Sequence, residues 1–268
     1  MLQLQALIFD VDGTLAETER DGHRVAFNQA FAAAGLDWHW SIETYRELLE
    51  IGGGKERIRW FWQQYRPDFL PALPPGLSPA DWIASLHRQK TYCYSQLLQA
   101  GKIALRPGVK RLLTEAHATG IRLAIATTSS PENVTTLLET TFPESLDWFE
   151  VIAAGDVVPA KKPAPDIYQY VLAQMRLAPE HCLVIEDSPI GLQAARKAGL
   201  ATVITVNNYT QQDCFADATL VLDSLGEPRA PGRVLQSDPS LIRPNAKACF
   251  DLALSESLLR HQLQPQLV

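Results

Sequence analysis

Two carboxylates follow an apolar run near the start of this 268-residue chain. Asp10 and Asp12 come directly after residues 7–9, which are typical of a buried strand, and Gly13 behind them permits a turn. Side chains two residues apart on a strand point the same way, so the two carboxylates should project together unless the chain turns between them. Like charges this close raise one another's pKa, which favours one ionised nucleophile and one protonated acid. That division suits phosphoryl transfer, although an Asp-x-Asp pair alone often occurs by chance.

Other polar residues stand at the ends of further apolar runs. In an open parallel sheet, ligands bind beyond the carboxyl ends of the strands, so one crevice would collect all of these residues. These residues are Thr127, Thr128 and Ser129 after residues 121–126, and Glu186 and Asp187 after residues 182–185. Taken singly, each of these short motifs is commonly a solvated turn or a helix cap.

Four acidic groups at one site would repel each other unless a hard cation lay among them, and Mg²⁺ is the usual choice beside a phosphate. Thr127 and Ser129 would add hydroxyl donors, and a helix beginning at Pro131 would add backbone donors and a favourable dipole. Lys162, in a proline-rich loop, can offset the charge of the nucleophile and of the transferring phosphoryl group. Two adjacent lysines, Lys161 and Lys162, otherwise more often mark a solvated loop.

The elements that must position these residues alternate between strands and helices from Arg106 onward. The apolar runs predict strands at the start of the chain and over 121–126, 149–153, 182–185, 201–206 and 219–222, with helices over 107–120, from 131, over 165–175 and over 189–199. This alternation predicts an α/β fold with a doubly wound parallel sheet that helices cover on both faces.

A helical segment interrupts this pattern after the first strand. Apolar stripes at helical spacing predict helices over 24–34, 42–50, 55–65 and 79–99, with a break at Pro67, Pro71, Pro74 and Pro75. Five of the six tryptophans lie here, and packing between small helices is favoured over stacking on bases or sugars. The sequence therefore predicts an inserted helical module.

Composition excludes several classes of protein. The net charge of -6 offers no basic field for nucleic acid, and no apolar run reaches the ~20 residues of a membrane span. The four cysteines lack metal-ligand spacing, which favours reduced thiols. The start of the chain lacks the basic and apolar regions of a signal peptide. A cytoplasmic protein is expected, or a stromal one in a plastid-bearing source, with a monomer as the simplest state and oligomers left open.

These motifs, in this order, resemble the haloacid dehalogenase (HAD) superfamily of phosphotransferases. The resemblance extends to about Pro228, and the matches are Asp10-Val11-Asp12-Gly13-Thr14, Thr127, Lys162 and Glu186-Asp187 for motifs one to four. It implies a HAD-like, Rossmannoid core with an inserted α-helical cap of the C1 type, Mg²⁺ dependence and an aspartyl-phosphate at Asp10. By analogy, Asp12 protonates the leaving group and then activates water. Also by analogy, the metal is held by Asp10, the backbone carbonyl of Asp12, Glu186 and Asp187.

A closer resemblance is to the beta-phosphoglucomutase and CbbY-like subgroup. It rests on Ala16-Glu17-Thr18-Glu19, Trp38-His39-Trp40, Gly52-Gly53-Gly54-Lys55-Glu56-Arg57, Leu220-Val221-Leu222 and Leu225-Gly226-Glu227-Pro228. It implies that Gly53, Lys55 and Lys90 bind substrate from the cap and that His23 is a cap-hinge histidine. Relative to the subgroup, Arg20-Asp21-Gly22 carries one extra residue before His23. Glu17 is expected either to accept a hydrogen bond from a sugar hydroxyl or to cap the first cap helix.

The predicted organisation is a core of residues 1–16 and 102–228, a cap of residues 17–101, and a C-terminal arm and helix over 229–268 that packs on the core. Residues 226–244 are expected to be a loop or arm, and 246–262 an amphipathic helix. The resemblance implies a phosphatase that acts on a small phosphorylated sugar, most closely xylulose 1,5-bisphosphate, in the manner of Rubisco-associated CbbY-like enzymes. A phosphosugar mutase would use the same residues, and a non-catalytic binding module on the same fold is the third alternative.

Overall fold

A computed structural model describes residues 4–51, 53–71, 76 and 78–262, so Gly52, Pro74 and Pro75 lie outside the described part. The chain divides between Thr18 and Glu19, and again between Lys102 and Ile103, into two compact units. We call the unit formed by both outer segments the core unit, and the unit over Glu19–Lys102 the helical unit. Among the described residues, no helix combines the length and the apolar composition needed to cross a membrane.

Within its described residues, the core unit is built on one eight-stranded sheet with the order β3-β2-β1-β4-β5-β6-β7-β8. The first six of these strands pair in parallel and the last two pairings are antiparallel. The strands are β1 (Ala6–Phe9), β2 (Arg122–Ala126), β3 (Phe149–Ala153), β4 (Cys182–Glu186), β5 (Ala201–Thr205), β6 (Leu220–Leu222), β7 (Gly232–Ser237) and β8 (Lys247–Ala248). The predicted α/β fold with a parallel-dominated sheet is confirmed, as are the strands predicted from apolar runs.

The apolar runs form strands because both faces of the sheet are covered. Ile8 and Val184, on neighbouring strands, lie in one buried cluster with Tyr168 of α7 and Ala194 of α8. A strand that is buried on both faces has no need of polar alternation, which explains the continuous apolar sequence of β1 and β4. The core-unit helices are α5 (Val109–Thr119), α6 (Pro131–Thr141), α7 (Asp166–Met175), α8 (Pro189–Lys197) and α9 (Leu252–Gln262).

The central strand β1 lies between β2 and β4, so three strand ends meet at one edge of the sheet. Phe9 pairs with Ile125 on one side and with Ile185 on the other. The backbone N–H of Asp10 donates to Ile185 O at 3.0 Å, which continues the ladder by one residue. The residues that follow β1, β2 and β4 are therefore neighbours in space.

The prediction that residues 226–244 form a loop is wrong, because this segment contains β7, which adds antiparallel to β6. Burial alternates along β7, with Val234 buried between the exposed Arg233 and Leu235, but proline-rich flanks hide so short an alternation in the sequence. The helix predicted over 246–262 begins only at Leu252. Arg111 of α5 donates to the carbonyls of Leu225, Gly226 and Phe250 and so connects this C-terminal segment to α5.

The helical unit contains α1 (Arg24–Ala33), α2 (Ile42–Leu49), α3 (Gly54–Tyr65) and α4 (Pro79–Gln99). A π-helical turn, Thr18–His23, leads into α1. Every tryptophan of the unit contacts another aromatic ring, and Trp40 is fully buried against Phe27 and Phe31. The predicted role of the tryptophans in packing is thus confirmed, and the stacked and edge-to-face rings form the core of this unit.

Candidate active site

The ends of β1 and β4 bring three buried carboxylates together in the core unit. Oxygen atoms of Asp10, Glu186 and Asp187 all lie within 4.8 Å of one another. The strands hold them there because Asp10 directly follows β1, whereas Glu186 ends β4 and Asp187 follows it. So much like charge in a buried place requires cations or hydrogen-bond donors.

Lys162 supplies one of those cations. Its Nζ lies 2.7 Å from Asp10 Oδ1, 2.7 Å from Glu186 Oε1 and 2.9 Å from Ala126 O, so each ammonium hydrogen has an acceptor. Burial alone would lower the pKa of Lys162, but Asp10 and Glu186 outweigh it and raise that pKa well above its usual range. The lysine is therefore a fixed positive charge between Asp10, the candidate nucleophile, and Glu186.

Glu186 is held on both oxygens. Oε1 accepts from Lys162 and from Tyr168 Oη at 3.2 Å, and Oε2 accepts from the backbone N–H groups of Asp187 and Ser188 and from Ser188 Oγ. Burial raises the pKa of Glu186, but Lys162 and these donors outweigh it, so the pKa is lowered. The carboxylate also packs against Gly191 of α8, where an added Cβ would lie 1.8 Å from Oε1.

In contrast to Glu186, Asp10 and Asp187 have raised pKa values. Burial, with the neighbouring carboxylates, raises the pKa of Asp10 to about 8 against the pull of Lys162. Burial, with Glu186 and Asp10, likewise raises the pKa of Asp187 well above its usual range. Asp187 is oriented by Thr14 Oγ1 at 3.3 Å and by Asn207 Nδ2 at 2.6 Å. The cluster thus carries more negative charge than its own cations balance.

This donor set fits a hard divalent cation such as Mg²⁺. The three buried groups offer oxygen ligands, and a positive ion among them would lower the raised pKa values of Asp10 and Asp187. Asp10 and Asp187 have lone pairs to spare, whereas the lone pairs of Glu186 Oε2 are filled by three donors. Ligation by Glu186, as the sequence predicts, requires it to exchange one of these hydrogen bonds.

Asp12 lies outside this cluster and is held by two hydroxyls of the core unit. Thr18 Oγ1 donates to Asp12 Oδ1 at 2.6 Å, and Ser129 Oγ donates to Oδ2 at 2.5 Å. Ser129 was predicted to donate a hydrogen bond to the phosphate, but in this structure its hydroxyl donates to Asp12. The side chain of Thr127, next to it, is fully buried and its Oγ1 accepts from the Ser129 backbone N–H at 3.2 Å, whereas Thr128 is exposed.

Glu17 pairs with a buried arginine. Arg106 Nε lies 3.1 Å from Glu17 Oε1, and the arginine side chain is 4% exposed while that of Glu17 is 15% exposed. The expectation that Glu17 caps the first cap helix is not met, because the segment that follows it is a π-helical turn and the Glu17 carboxylate faces Arg106.

In the helical unit, Lys90 of α4 is buried and its Nζ lies 2.7 Å from His23 Nδ1. Burial first, and then the charges of Lys90, Arg57 and His87, lower the pKa of His23 well below its usual range. A neutral imidazole beside an ammonium accepts at Nδ1, so Nε2 carries the ring proton. The ring also stacks on Tyr94 with centroids 4.0 Å apart.

The π-helical turn Thr18–His23 accounts for the extra residue seen in the sequence before His23. A π-helical turn closes an i to i+5 hydrogen bond, so it accommodates one more residue than an α-helical turn. Arg20, Asp21 and Gly22 all lie within this turn, and His23 still reaches Lys90. The insertion therefore leaves the histidine in contact with the lysine.

Further basic side chains of the helical unit lie near this pair. His87 of α4 has its pKa lowered by burial first, and then by the charges of Lys90 and Lys55. Lys55 is exposed in the first turn of α3, and Gly53 is the residue before that helix. Arg57 donates to Ile51 O at 2.9 Å and to Tyr45 Oη at 3.2 Å. We call Lys55, Arg57 and Lys90 the cationic cluster of the helical unit, with the neutral His87 beside it.

Sequence reasoning missed several groups that hold the core site. Asn207 was overlooked because its neighbours 208–210 form an ordinary polar loop, yet Oδ1 accepts from the backbone of Tyr209 and so aims Nδ2 at Asp187. Tyr168 lies on α7 at a position that apolar periodicity assigns to the core. Ser188 was visible only as a helix cap, and Arg106 only as the residue before a helix.

A protein-family model for haloacid dehalogenase-like hydrolases matches residues 4–199, and the chain belongs to this family. Protein CbbY of Rhodobacter capsulatus is 50% identical over 81% of this chain and 92% of its own length. A CbbY-like protein of Arabidopsis thaliana is 38% identical over 96% of this chain and 75% of its own length. The family, these relatives and a phosphorylated carbohydrates phosphatase of Thermotoga maritima, 29% identical over 76% of this chain and 85% of its own length, identify the chain as a phosphatase.

Solved structures show the same fold. CbbY from Rhodobacter sphaeroides in complex with phosphate is 48% identical, with a TM-score of 0.68 over 83% of this chain and 95% of that chain. The D10N mutant of that protein, in complex with xylulose-(1,5)bisphosphate, is 47% identical with the same TM-score of 0.68 and the same coverage of 83% and 95%. The chain is thus a CbbY-like phosphatase of the HAD family.

Proposed function

We propose that the chain hydrolyses a small sugar bisphosphate, with xylulose 1,5-bisphosphate as the first substrate to test. The observation that carries the proposal is Lys162, which bridges Asp10 and Glu186 at 2.7 Å each in a buried acidic cluster. A site of this kind suits the attack of a carboxylate on a phosphorus atom, since the carboxylate and the phosphoryl oxygens are both negatively charged and need a fixed cation between them. The sugar follows from the 47% identical relative that binds xylulose-(1,5)bisphosphate.

In the proposed reaction, a carboxylate oxygen of Asp10 forms a bond to phosphorus while the bond from phosphorus to the sugar oxygen breaks. Asp12 gives its proton to the departing sugar oxygen and later takes one from the water that hydrolyses the aspartyl-phosphate. A hydroxyl both donates and accepts, so Ser129 can stay hydrogen-bonded to Asp12 in either protonation state. Mg²⁺ held by Asp10, Asp187, Glu186 and the backbone carbonyl of Asp12 would neutralise charge on the transferring group.

A bisphosphate has a second phosphate, for which the helical unit offers the cationic cluster. Lys90 with its partner His23, and Lys55 with Gly53 before α3, are the proposed binding residues. An ammonium and an Nε2–H donor suit the oxygens of a phosphate, and the neutral His23 can donate without a proton being taken up first. In the core unit, Thr127, Thr128 and Ser129 are proposed around the transferred phosphate, beside the start of α6.

The test is a phosphate-release assay on purified protein with Mg²⁺ and a panel of phosphosugars that contains xylulose 1,5-bisphosphate and glucose 1-phosphate. We expect inorganic phosphate from the bisphosphate, incorporation of label into the protein on rapid quenching, and loss of both in Asp10→Asn. Isomerisation of glucose 1-phosphate without phosphate release would replace the proposal with a mutase. Folded protein that releases phosphate from no phosphosugar would overturn it.

A further inference from the structure

Arg106 is a buried arginine whose guanidinium is surrounded by acceptors from three segments of the core unit. Nη1 donates to Gly13 O, to Thr205 O at 2.8 Å and to Thr205 Oγ1 at 3.0 Å. Nη2 donates to Val206 O at 2.5 Å and to Asp223 O at 3.2 Å. The arginine thus connects the loop after β1 to the ends of β5 and β6.

The third nitrogen of the guanidinium faces Glu17. Nε lies 3.1 Å from Glu17 Oε1. The backbone N–H of Arg106 also donates to Leu15 O at 2.8 Å. Arg106 therefore holds the loop of residues 13–17 at Gly13, at Leu15 and at the carboxylate of Glu17, directly after the two catalytic aspartates.

A buried guanidinium is costly, and the acceptors here match the geometry of an arginine. Its planar fork reaches the carbonyls and the carboxylate at once, whereas a lysine is a point charge with three donors. The fold needs no cation for the backbone carbonyls alone, since such groups are commonly satisfied by neutral donors or water. The charge of Arg106 is matched instead by the carboxylate of Glu17, which at 15% exposure is the more accessible member of the pair.

We propose that Arg106 is a positioning residue for substrate recognition: through the ion pair, it holds Glu17 so that the Glu17 carboxylate accepts a hydrogen bond from a hydroxyl of the phosphosugar. The proposal rests on the proposed function, because a hydroxyl next to the scissile phosphate is what Glu17 would distinguish. It assigns to the pair a role in selecting polyol phosphates over phosphate esters that lack a hydroxyl. A hydrogen bond to a charged acceptor that is lost in a binding site lowers kcat/KM by about tenfold to a hundredfold.

The test measures kcat/KM for xylulose 1,5-bisphosphate and for p-nitrophenyl phosphate, and compares their ratio between variants. Arg106→Lys disturbs the whole loop and should lower both values, but the ratio should fall about tenfold or more because only the sugar needs Glu17. Glu17→Gln should lower the ratio by a similar factor. The double variant should lower it no further than the larger of the two, because the residues act through one contact.

Arg111→Lys is the matched control. Arg111 lies on the same stretch of chain and also donates to three backbone carbonyls, of Leu225, Gly226 and Phe250, but its ion pairs are with Glu115 and Glu227. It should leave the ratio unchanged. Should Arg106→Lys fail to fold, Glu17→Asp tests the same contact, because it keeps the charge and shortens the reach by one methylene; its ratio should fall about as far as that of Glu17→Gln.

Equal loss of both substrates in Arg106→Lys and in Glu17→Asp would overturn the inference and leave the pair with a structural role only. Multiplying losses in the double variant would overturn it as well. These results differ from failure of the proposed function, in which the wild-type chain cleaves p-nitrophenyl phosphate but no phosphosugar; the inference then falls with it.

Discussion

The core unit and the helical unit hold their cations in different ways. In the core unit, Lys162 has an acceptor for every ammonium hydrogen, and both oxygens of Glu186 are filled. In the helical unit, Lys90 lies beside a neutral imidazole and about 5 Å from two aromatic rings, at 5.1 Å from Phe27 and 5.0 Å from Tyr94. In the core unit the lysine lies between two carboxylates, whereas the contacts of Lys90 in the helical unit include two aromatic rings and an uncharged base.

This difference matches the tasks proposed for the two regions. A fixed network of ions stabilises a transition state because its dipoles need no rearrangement during reaction. A cation next to aromatic faces keeps its positive field, since the ring quadrupole attracts it without neutralising it. The contrast supports the proposal that the core unit performs the chemistry and that the helical unit binds an anion.

The largest expected effect separates two adjacent lysines of the core unit. Lys162→Met should lower phosphate release about a hundredfold to a thousandfold, because it removes the fixed cation between Asp10 and Glu186. Lys161→Met is the matched control, since Lys161 is exposed and pairs with the fully exposed Asp156. A similar loss in both variants would mean that the loss in Lys162→Met is not specific to the buried network; steady-state kinetics measures both.

The second effect is on stability without metal. Between the ordinary pKa of 3.8 and the value of about 8 in the fold, folded Asp10 keeps a proton that the unfolded chain has lost. The free energy of unfolding should therefore fall as pH rises through this window, by at most about 1.4 kcal/mol per pH unit. Asp10→Asn should remove this contribution, so that in EDTA its stability relative to wild type rises with pH. Denaturant unfolding near pH 5 and near pH 8 measures this, and a pH-independent difference contradicts it.

The third effect has the opposite sign and belongs to the helical unit. Because burial and nearby cations lower the pKa of His23 below 6.5, the unfolded chain binds a proton at acid pH that the folded chain does not. The stability that neutral His23 contributes at pH 7 should be lost as pH falls below about 6.5. His23→Gln keeps an acceptor for Lys90 without titrating, so its stability relative to wild type should rise toward acid. Unfolding curves of both proteins near pH 7 and near pH 5 give the comparison. A difference in stability that does not change with pH would show that His23 is not a buried neutral histidine.

A fourth experiment tests the anion-binding role of the helical unit. Lys90→Met should lower kcat/KM for a sugar bisphosphate about tenfold or more, because the second phosphate loses a charged donor. The loss for p-nitrophenyl phosphate, which has no second phosphate, should be clearly smaller. Arg88→Met, at an exposed position of the same helix, serves as control. Equal losses for both substrates in Lys90→Met would assign the lysine to packing alone.

The smallest effect concerns two helix caps. Ser78 closes a capping box with Asp81 at α4, whereas Ser188 caps α8 and also donates to Glu186 at 3.0 Å. Each change to alanine should cost about 1 kcal/mol of unfolding free energy. Only Ser188→Ala should also lower kcat, since only that cap touches the site. Loss of kcat in Ser78→Ala would break this distinction; unfolding and rate measurements on both variants test it.

Much of the core unit could be predicted because the same local sequence pattern recurs at each strand. An apolar run that ends in a polar residue marks both a buried strand and the edge where ligands bind, and this rule placed Asp10, Thr127 and Asp187 at strand ends. The helices of the helical unit could also be predicted from apolar residues at helical spacing. The packing role of the tryptophans could be predicted because large aromatic rings are usually buried.

The rest depends on contacts that leave no pattern in the chain. The partners of Arg106 are mostly backbone carbonyls, which every residue has. Asn207 acts through a turn that aims one amide at Asp187, and β7 is too short and too close to prolines to show its alternation. The contact between His23 and Lys90 spans 67 residues and depends on a π-helical turn, which ordinary helical periodicity does not predict.

Gly191 places a limit on how this chain can diverge. Because any Cβ at that position would overlap the Glu186 carboxylate, a mutant cannot improve α8 there by the usual glycine-to-alanine step, which would contribute about 0.5–1 kcal/mol of helix stability. Descendants that keep the glutamate inherit the weaker helix with it. The two positions must change together or not at all, so a homologue with a side chain at 191 should have lost or relocated its acid at 186.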